Sequence, residues 1–103
     1  PESLLAVRIT DDTMSKFFRN DDVVLIDRSK TEFISNKVYF INVKRNFVFR
    51  RVARSITTGK IDIYSLRLSD DEKNYNSDVS INEIEDIEIF GTPALIISQP
   101  KGI

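Results

Sequence analysis

The residues that could do chemistry cluster in one stretch, Val7 to Asp27. Within it, Asp11-Asp12-Thr13-Met14 sets a hydroxyl among carboxylates, Asn20-Asp21-Asp22 forms a turn signal, and the apolar run Val23-Val24-Leu25-Ile26 is closed by Asp27. The run is short and β-branched, so it reads as a strand buried on both faces. Asn and Asp tolerate turn geometry and hydrogen-bond their own backbone. The tetrad is therefore expected on a loop or short helix at the rim, one segment upstream of a core strand, where a reactive side chain, or the relic of one, would be displayed. With no histidine and no cysteine in the chain, a zinc site, a histidine relay, thiol chemistry and disulfides have no materials. The paired acids Asp11-Asp12 and Asp21-Asp22 invite a metal or acid–base reading. Asp beside Asn and at strand ends is ordinary turn chemistry, and the acids do not follow a calcium-loop spacing. No metal and no cofactor are expected.

The elements that must position this stretch are strands and turns. Leu4 to Ile9 suits an opening strand, and Met14 to Phe18 a turn of helix with Phe17 and Phe18 folded back on the core. Val38 to Val43 and Phe47 to Ala53 read as a hairpin about Lys44-Arg45-Asn46. Thr57-Thr58-Gly59-Lys60 is a turn, Ile61 to Leu66 alternates as a strand, and Ser69 to Asp78 is a polar loop. Ser80-Ile81-Asn82-Glu83 has the form of a helix capping box. Ile87-Glu88-Ile89 alternates again, and Ala94-Leu95-Ile96-Ile97 is a last strand stopped by Pro100. Several short strands at this spacing predict a compact, barrel-like all-β domain.

A chain of 103 residues with 41% hydrophobic content holds one domain with a modest core. No apolar run approaches the roughly 18 residues of a membrane span, and the lack of cysteine suits the cytoplasm. Starting at Pro1 without an initiator Met, the chain is expected to be a domain excised from a longer protein. Charge is uneven. Residues 33–61 carry seven Lys or Arg and no acid, whereas residues 62–90 carry nine acids against Arg67 and Lys73. A basic block can contact nucleic acid. An acidic pI of about 5.4 and the lack of an interleaved aromatic platform favour the plainer reading, oppositely charged β segments that flank one another or lie on different faces of one barrel.

The motifs, taken in order, resemble the C-terminal domain of LexA and phage CI-type repressors, a group that includes UmuD-like proteins and is related to signal peptidase. Asp11-Asp12-Thr13-Met14 stands where that family shows Gly-Asp-Ser-Met. Asn20-Asp21-Asp22-Val23-Val24-Leu25-Ile26-Asp27 stands for Asp-Gly-Asp-x-Val-x-Val-Asp. Asn36-Lys37-Val38-Tyr39-Phe40-Ile41 is similar to Gly-x-(Ile/Val)-Tyr-x-(Val/Ile), and Val48-Phe49-Arg50-Arg51-Val52 to Val-x-Lys-Arg-(Ile/Leu). Asn74-Tyr75 falls at an Asn-x-x-Tyr-type loop, and Ile87-Glu88-Ile89-Phe90-Gly91 resembles Ile-x-(Ile/Val)-x-Gly.

The resemblance implies a serine nucleophile and a lysine general base, and puts Thr13 and Arg50 at those positions. Threonine keeps the hydroxyl. A guanidinium stays protonated and has no lone pair to accept the proton. The neighbouring Arg51 restores nothing, and Lys44 lies across the hairpin turn. The peptidase is expected to be dead, with a relic cleft formed by Asp12, Met14 and Arg51. Three readings of the pair stay open: ordinary loop and hairpin residues, a hydrogen-bonded relic with Asp12 as counter-charge that holds a peptide uncut, or an active threonine-dependent self-cleaving peptidase.

The family's other task is self-association, coupled to a DNA-binding helix-turn-helix module on the N-terminal side. Two linked weak heads gain affinity through effective concentration. The resemblance places Ala94, Leu95, Ile96 and Ile97 in the dimer contact, against the alternative of a core strand only. A strand this near the terminus is also a candidate sheet edge. The implied function is an oligomerisation and regulatory domain of a transcriptional repressor. Its partners would be a second copy of the chain, DNA only through the N-terminal module, and a regulatory protein, with no membrane. A free-standing barrel binding nucleic acid through residues 37–60 is the third alternative.

Overall fold

A computed structural model describes residues 3–69 and 79–98, and Asn74-Tyr75 and Pro100 lie outside the described residues. The fold is all-β. Seven strands, β1 (Leu4–Arg8), β2 (Val23–Asp27), β3 (Lys37–Val43), β4 (Asn46–Arg54), β5 (Ile61–Tyr64), β6 (Val79–Ile81) and β7 (Glu88–Ile97), pair antiparallel in the order β1-β2-β7-β3-β4-β5-β6. Among the described residues the one helical element is a 3-10 turn, Ile84–Asp86, and no helix is long and apolar enough to cross a membrane.

Local chemistry accounts for the turns. The β3–β4 hairpin closes through two residues, Lys44 and Arg45, since Val43 pairs with Asn46. Their φ values of 50° and 67° are what a two-residue turn with the right-handed twist of its strands demands. Asp21 and Asn36 are also left-handed, at φ 72° and 76°. Both stand where the resembling family carries glycine, and both are residue types that tolerate this region best. The helix cap expected at Ser80–Glu83 lies three residues later: Ser80 is inside β6, and Glu83 and Asp86 cap each other across the 3-10 turn.

Two apolar clusters lie on opposite faces of β3 and β4, as alternation along a strand requires. Phe40 and Phe49 join Ile9, Met14, Phe18, Val24, Ile26 and Leu66 on one side, while Tyr39, Ile41, Val52, Ile61, Ile63 and Ile87 form the other. Full burial of Val24 and Ile26 is worth about 1.5–3 kcal/mol each. Three expectations are corrected here. β2 buries only its Val24/Ile26 face, and Val23 and Leu25 are half-buried. Residues 14–18 form turns closed by Phe17 and Phe18 N–H on the Met14 carbonyl, with no helix. Phe18 enters the core, but Phe17 stays 48% exposed.

The last two expected strands are one. β7 pairs with β3 through Glu88–Gly91 and with β2 through Thr92–Ile97, so it is an interior strand and not an edge. Phe90 is the extra residue in the first pairing and Ala94 in the second, two bulges that bend the strand as it changes partner. Gly91 sits between them. A Cβ there would lie 2.5 Å from Ile26 Cγ2 and 2.8 Å from the Asp27 carbonyl oxygen. The carbonyl is backbone and cannot yield cheaply, so Gly91→Ala is expected to destabilise the fold by about 1–3 kcal/mol through overpacking. Urea unfolding midpoints of the parent and the variant measure this, and an unchanged midpoint would show that β7 can move away from β2.

Candidate functional site

The tetrad is displayed on a loop that the backbone closes at its base. Ile9 N–H donates to the Asp22 carbonyl and Asp21 N–H to the Ile9 carbonyl, both at 2.8 Å. Asp22, buried itself, accepts the Arg19 N–H on its carboxylate at 2.8 Å. The far side of the loop is tied to the segment after β5, where Leu66 N–H donates to the Thr13 carbonyl (2.8 Å) and Lys16 N–H to the Leu66 carbonyl (3.1 Å). Met14 and Phe18 anchor it from below. These ties hold Thr13 against β4.

There Thr13 meets Arg50. An Arg50 guanidinium nitrogen donates to Thr13 Oγ1 at 3.0 Å and to the Phe49 carbonyl at 2.7 Å. The Thr13 hydroxyl donates in turn to Asp11 Oδ1 at 2.7 Å, and the Thr13 N–H donates to the same oxygen at 3.0 Å. The result is a directed chain from guanidinium to hydroxyl to carboxylate. These Thr13 bonds, side chain first and backbone second, hold the Asp11 carboxyl below its usual 3.8 against the opposing effect of burial, with the Arg50 and Arg67 charges helping. The hydroxyl's single proton is committed to a weakened base, and its lone pair receives a proton donor that can never accept one.

The counter-charge is therefore Asp11, two residues before Thr13, and not Asp12. Asp12 turns outward, 78% exposed, to a loose 3.6 Å pair with Arg67, a contact worth little in open solvent. Of the expected cleft residues, Met14 lines the depression beside Thr13 and Arg50, but Asp12 and Arg51 do not. Arg51 is directed instead to Tyr64, its guanidinium 5.7 Å from that ring. The cleft holds about 80 Å³ and its walls include Val7, Ile9, Phe40, Phe47 and Phe49. Phe47, at the hairpin tip, is half exposed; it stacks on Phe40 at 5.7 Å and meets Phe90 edge-on at 5.3 Å. Sequence reasoning missed Asp11 and Phe47. The Asp-x-Thr spacing of an Asx-type turn was the available signal for the first, and a Phe beside the hairpin turn offered none for the second.

Residues 4–8, 11–14, 21–27 and 48–52 thus fall into one neighbourhood in the order in which the motifs run. A family model described as Peptidase S24-like matches residues 1–93. The chain belongs to that family. A comparison with curated proteins returned no match. Membership in the Peptidase S24-like family bears out the LexA-like resemblance, and the match stops one residue short of Ala94. Among the described residues no group of three or more metal-ligating side chains comes together.

Asp11 gives this site a pH signature. Its folded pKa lies below the unfolded value, so the carboxylate's contribution to stability is complete above about pH 4 and fades as pH falls through the folded value. The stability difference between the parent and Asp11→Asn is therefore expected to be flat near neutrality and to narrow in acid. Urea midpoints of both proteins across the acid range test this, and a difference independent of pH would remove Asp11 from the chain.

Proposed function

We propose that this chain is the catalytically silent oligomerisation and regulatory domain of a cytoplasmic transcriptional repressor of the LexA and phage CI type, whose DNA-binding helix-turn-helix module lies on its N-terminal side. The observation that carries the silence is the chain from Arg50 through Thr13 to Asp11. General-base catalysis needs a group that can take the hydroxyl proton near neutral pH. Arg50 stands at the base position and cannot; Asp11 can, but only as a carboxylate whose basicity its own hydrogen bonds have lowered. A cleft of about 80 Å³ favours silence over a role in gripping peptide, since it admits about one small side chain or a few waters.

What supports self-association is the C-terminal half of β7. Leu95, Ile96 and Ile97 are 56%, 42% and 45% exposed, which favours a contact over the reading in which they serve the core alone. Leu95 pairs with Leu25 and Ile97 with Val23, whereas Ile96 pairs with the buried Val24. Directly opposed residues share a face, so Leu95 and Ile97 look outward and Ile96 lies on the core side.

Two measurements test the proposal. The full-length protein should stay intact at alkaline pH by mass spectrometry, and spontaneous cleavage at its interdomain linker would sink the silent reading. Restoring the family residues with Asp11→Gly, Thr13→Ser and Arg50→Lys together is the change expected to permit cleavage. In sedimentation over a concentration series the chain should associate, and Leu95→Glu should weaken that association by at least about tenfold by stranding a carboxylate in an apolar contact, with circular dichroism unchanged. A parent that remains monomeric at high micromolar concentration defeats the self-association part.

A further inference from the structure

The register of β1, β2 and β7 lays out the outer face of this wing in three rows: Leu4, Asp27 and Thr92; Ala6, Leu25 and Leu95; Arg8, Val23 and Ile97. Leu4, Ala6, Val23, Leu25, Leu95 and Ile97 belong to neither apolar cluster, and all are exposed or half-buried. The face is apolar through its middle and carries one charge at each end, Arg8 on β1 and Asp27 on β2. Arg8 donates to the Asp21 carbonyl at a long 3.4 Å. Asp27 accepts both Ser29 bonds, from N–H and hydroxyl, on the single oxygen Oδ1. Those bonds, with the hydroxyl's the larger, hold its carboxyl below the usual range, so it is charged at neutral pH.

Packed sheets align their strands within about 30° of one another. For two copies of this face that leaves two two-fold arrangements. With the axis along the strands, β2 stacks on β2 in the same direction, and Asp27 meets Asp27 of the partner subunit, a like-charge contact that disfavours association. With the axis across the strands, the rows reverse. Arg8 then sits over Leu4 of the partner subunit, across the roughly 10 Å between stacked sheets and about 4.8 Å sideways of the partner's Asp27, a span that the long arginine and the aspartate can bridge together, and the symmetric pair closes the other end. The apolar middle rows meet at the centre.

Resting on the proposal that the chain self-associates, we infer that the occupant of this face is a second copy of the same chain, its strands antiparallel to the first, with Arg8 and Asp27 pairing reciprocally at the two ends. The charges set the register and the apolar rows supply the contact area, a division of labour typical of protein interfaces. The face thus extends well beyond the β7 residues to include β1 and β2.

Charge reversal tests the arrangement. Arg8→Glu should weaken self-association in sedimentation by about tenfold or more, because it sets like charges opposite one another, and adding Asp27→Arg should return it to within about threefold of the parent. Because Asp27→Arg removes the cap on Ser29, a neutral cycle accompanies it. Arg8→Gln and Asp27→Asn, the second keeping an oxygen for Ser29, should each weaken association, and together should weaken it no further than either alone. A dimeric parent indifferent to these changes, or one in which they add independently, overturns the inference and leaves self-association standing through another surface. A monomeric parent overturns both.

Discussion

Gly91 marks the place where β7 leaves β3 and takes up β2, and the rest of the molecule depends on that passage. Among the described residues, β1 and β2 are hydrogen-bonded to the rest of the sheet through β7, which runs between them and the β3–β6 wing. Thr13 hangs from the loop between β1 and β2, and Arg50 stands on β4 in the other wing. Their 3.0 Å contact therefore reports how β7 sets the two wings against each other. The bulges at Phe90 and Ala94 give the strand its bend, and the missing side chain at Gly91 lets its backbone press on Ile26 and Asp27. The Arg28 guanidinium, 4.1 Å above the Phe90 ring, covers the first bulge from the side of the β2 exit.

At this junction Thr13 and Arg50 stand where the resemblance puts a serine and a lysine, and they meet. A lysine base must be poised to lose its proton, which needs burial and a finely set neighbourhood. Arg50 needs neither, because its charge is permanent. A permanent cation on the hydroxyl calls for a nearby anion, and Asp11 supplies it from the position where the family has glycine. The two departures thus compensate: guanidinium and carboxylate are joined through the Thr13 hydroxyl. The three groups tie the loop to the strand.

Strand content and the location of the site were legible because both rest on short-range signals. β-branched runs, alternation and turn residues are read within a few positions, and the tetrad, the hairpin and the Arg50-Arg51 pair stood where their neighbours put them. Sheet order was not legible. Nothing near residues 88–97 says that one strand serves two partners. The exposure of Phe17 has the same origin. It adjoins the buried Phe18, and only the tertiary position of the turn decides which ring goes in. Asp11 rather than Asp12 as counter-charge was a matter of reach: the acid at i−2 can fold onto both the hydroxyl and the N–H of Thr13, whereas its neighbour at i−1 turns to solvent.

One misreading carries physical content of its own. Val23-Val24-Leu25-Ile26 has the composition of a strand covered on both sides, and the structure covers one. A solvent-facing strand surface ordinarily alternates apolar with polar residues. Here the outward positions Val23 and Leu25 are apolar, as are Leu4 and Ala6 beside them and Leu95 and Ile97 on the opposite flank. Six apolar positions on three adjacent strands exceed the scattered exposed side chains that any protein surface carries. β2 is central to its wing, with β1 and β7 satisfying its backbone on either side, so backbone pairing at an edge is not what its outer side chains answer to. The proposed pairing of two copies would lay a second sheet over them. The doubly buried pattern in the sequence and the singly covered strand in the fold are reconciled when a second sheet of this chain supplies that layer, and the two charges that bound the apolar rows then determine which way round it lies.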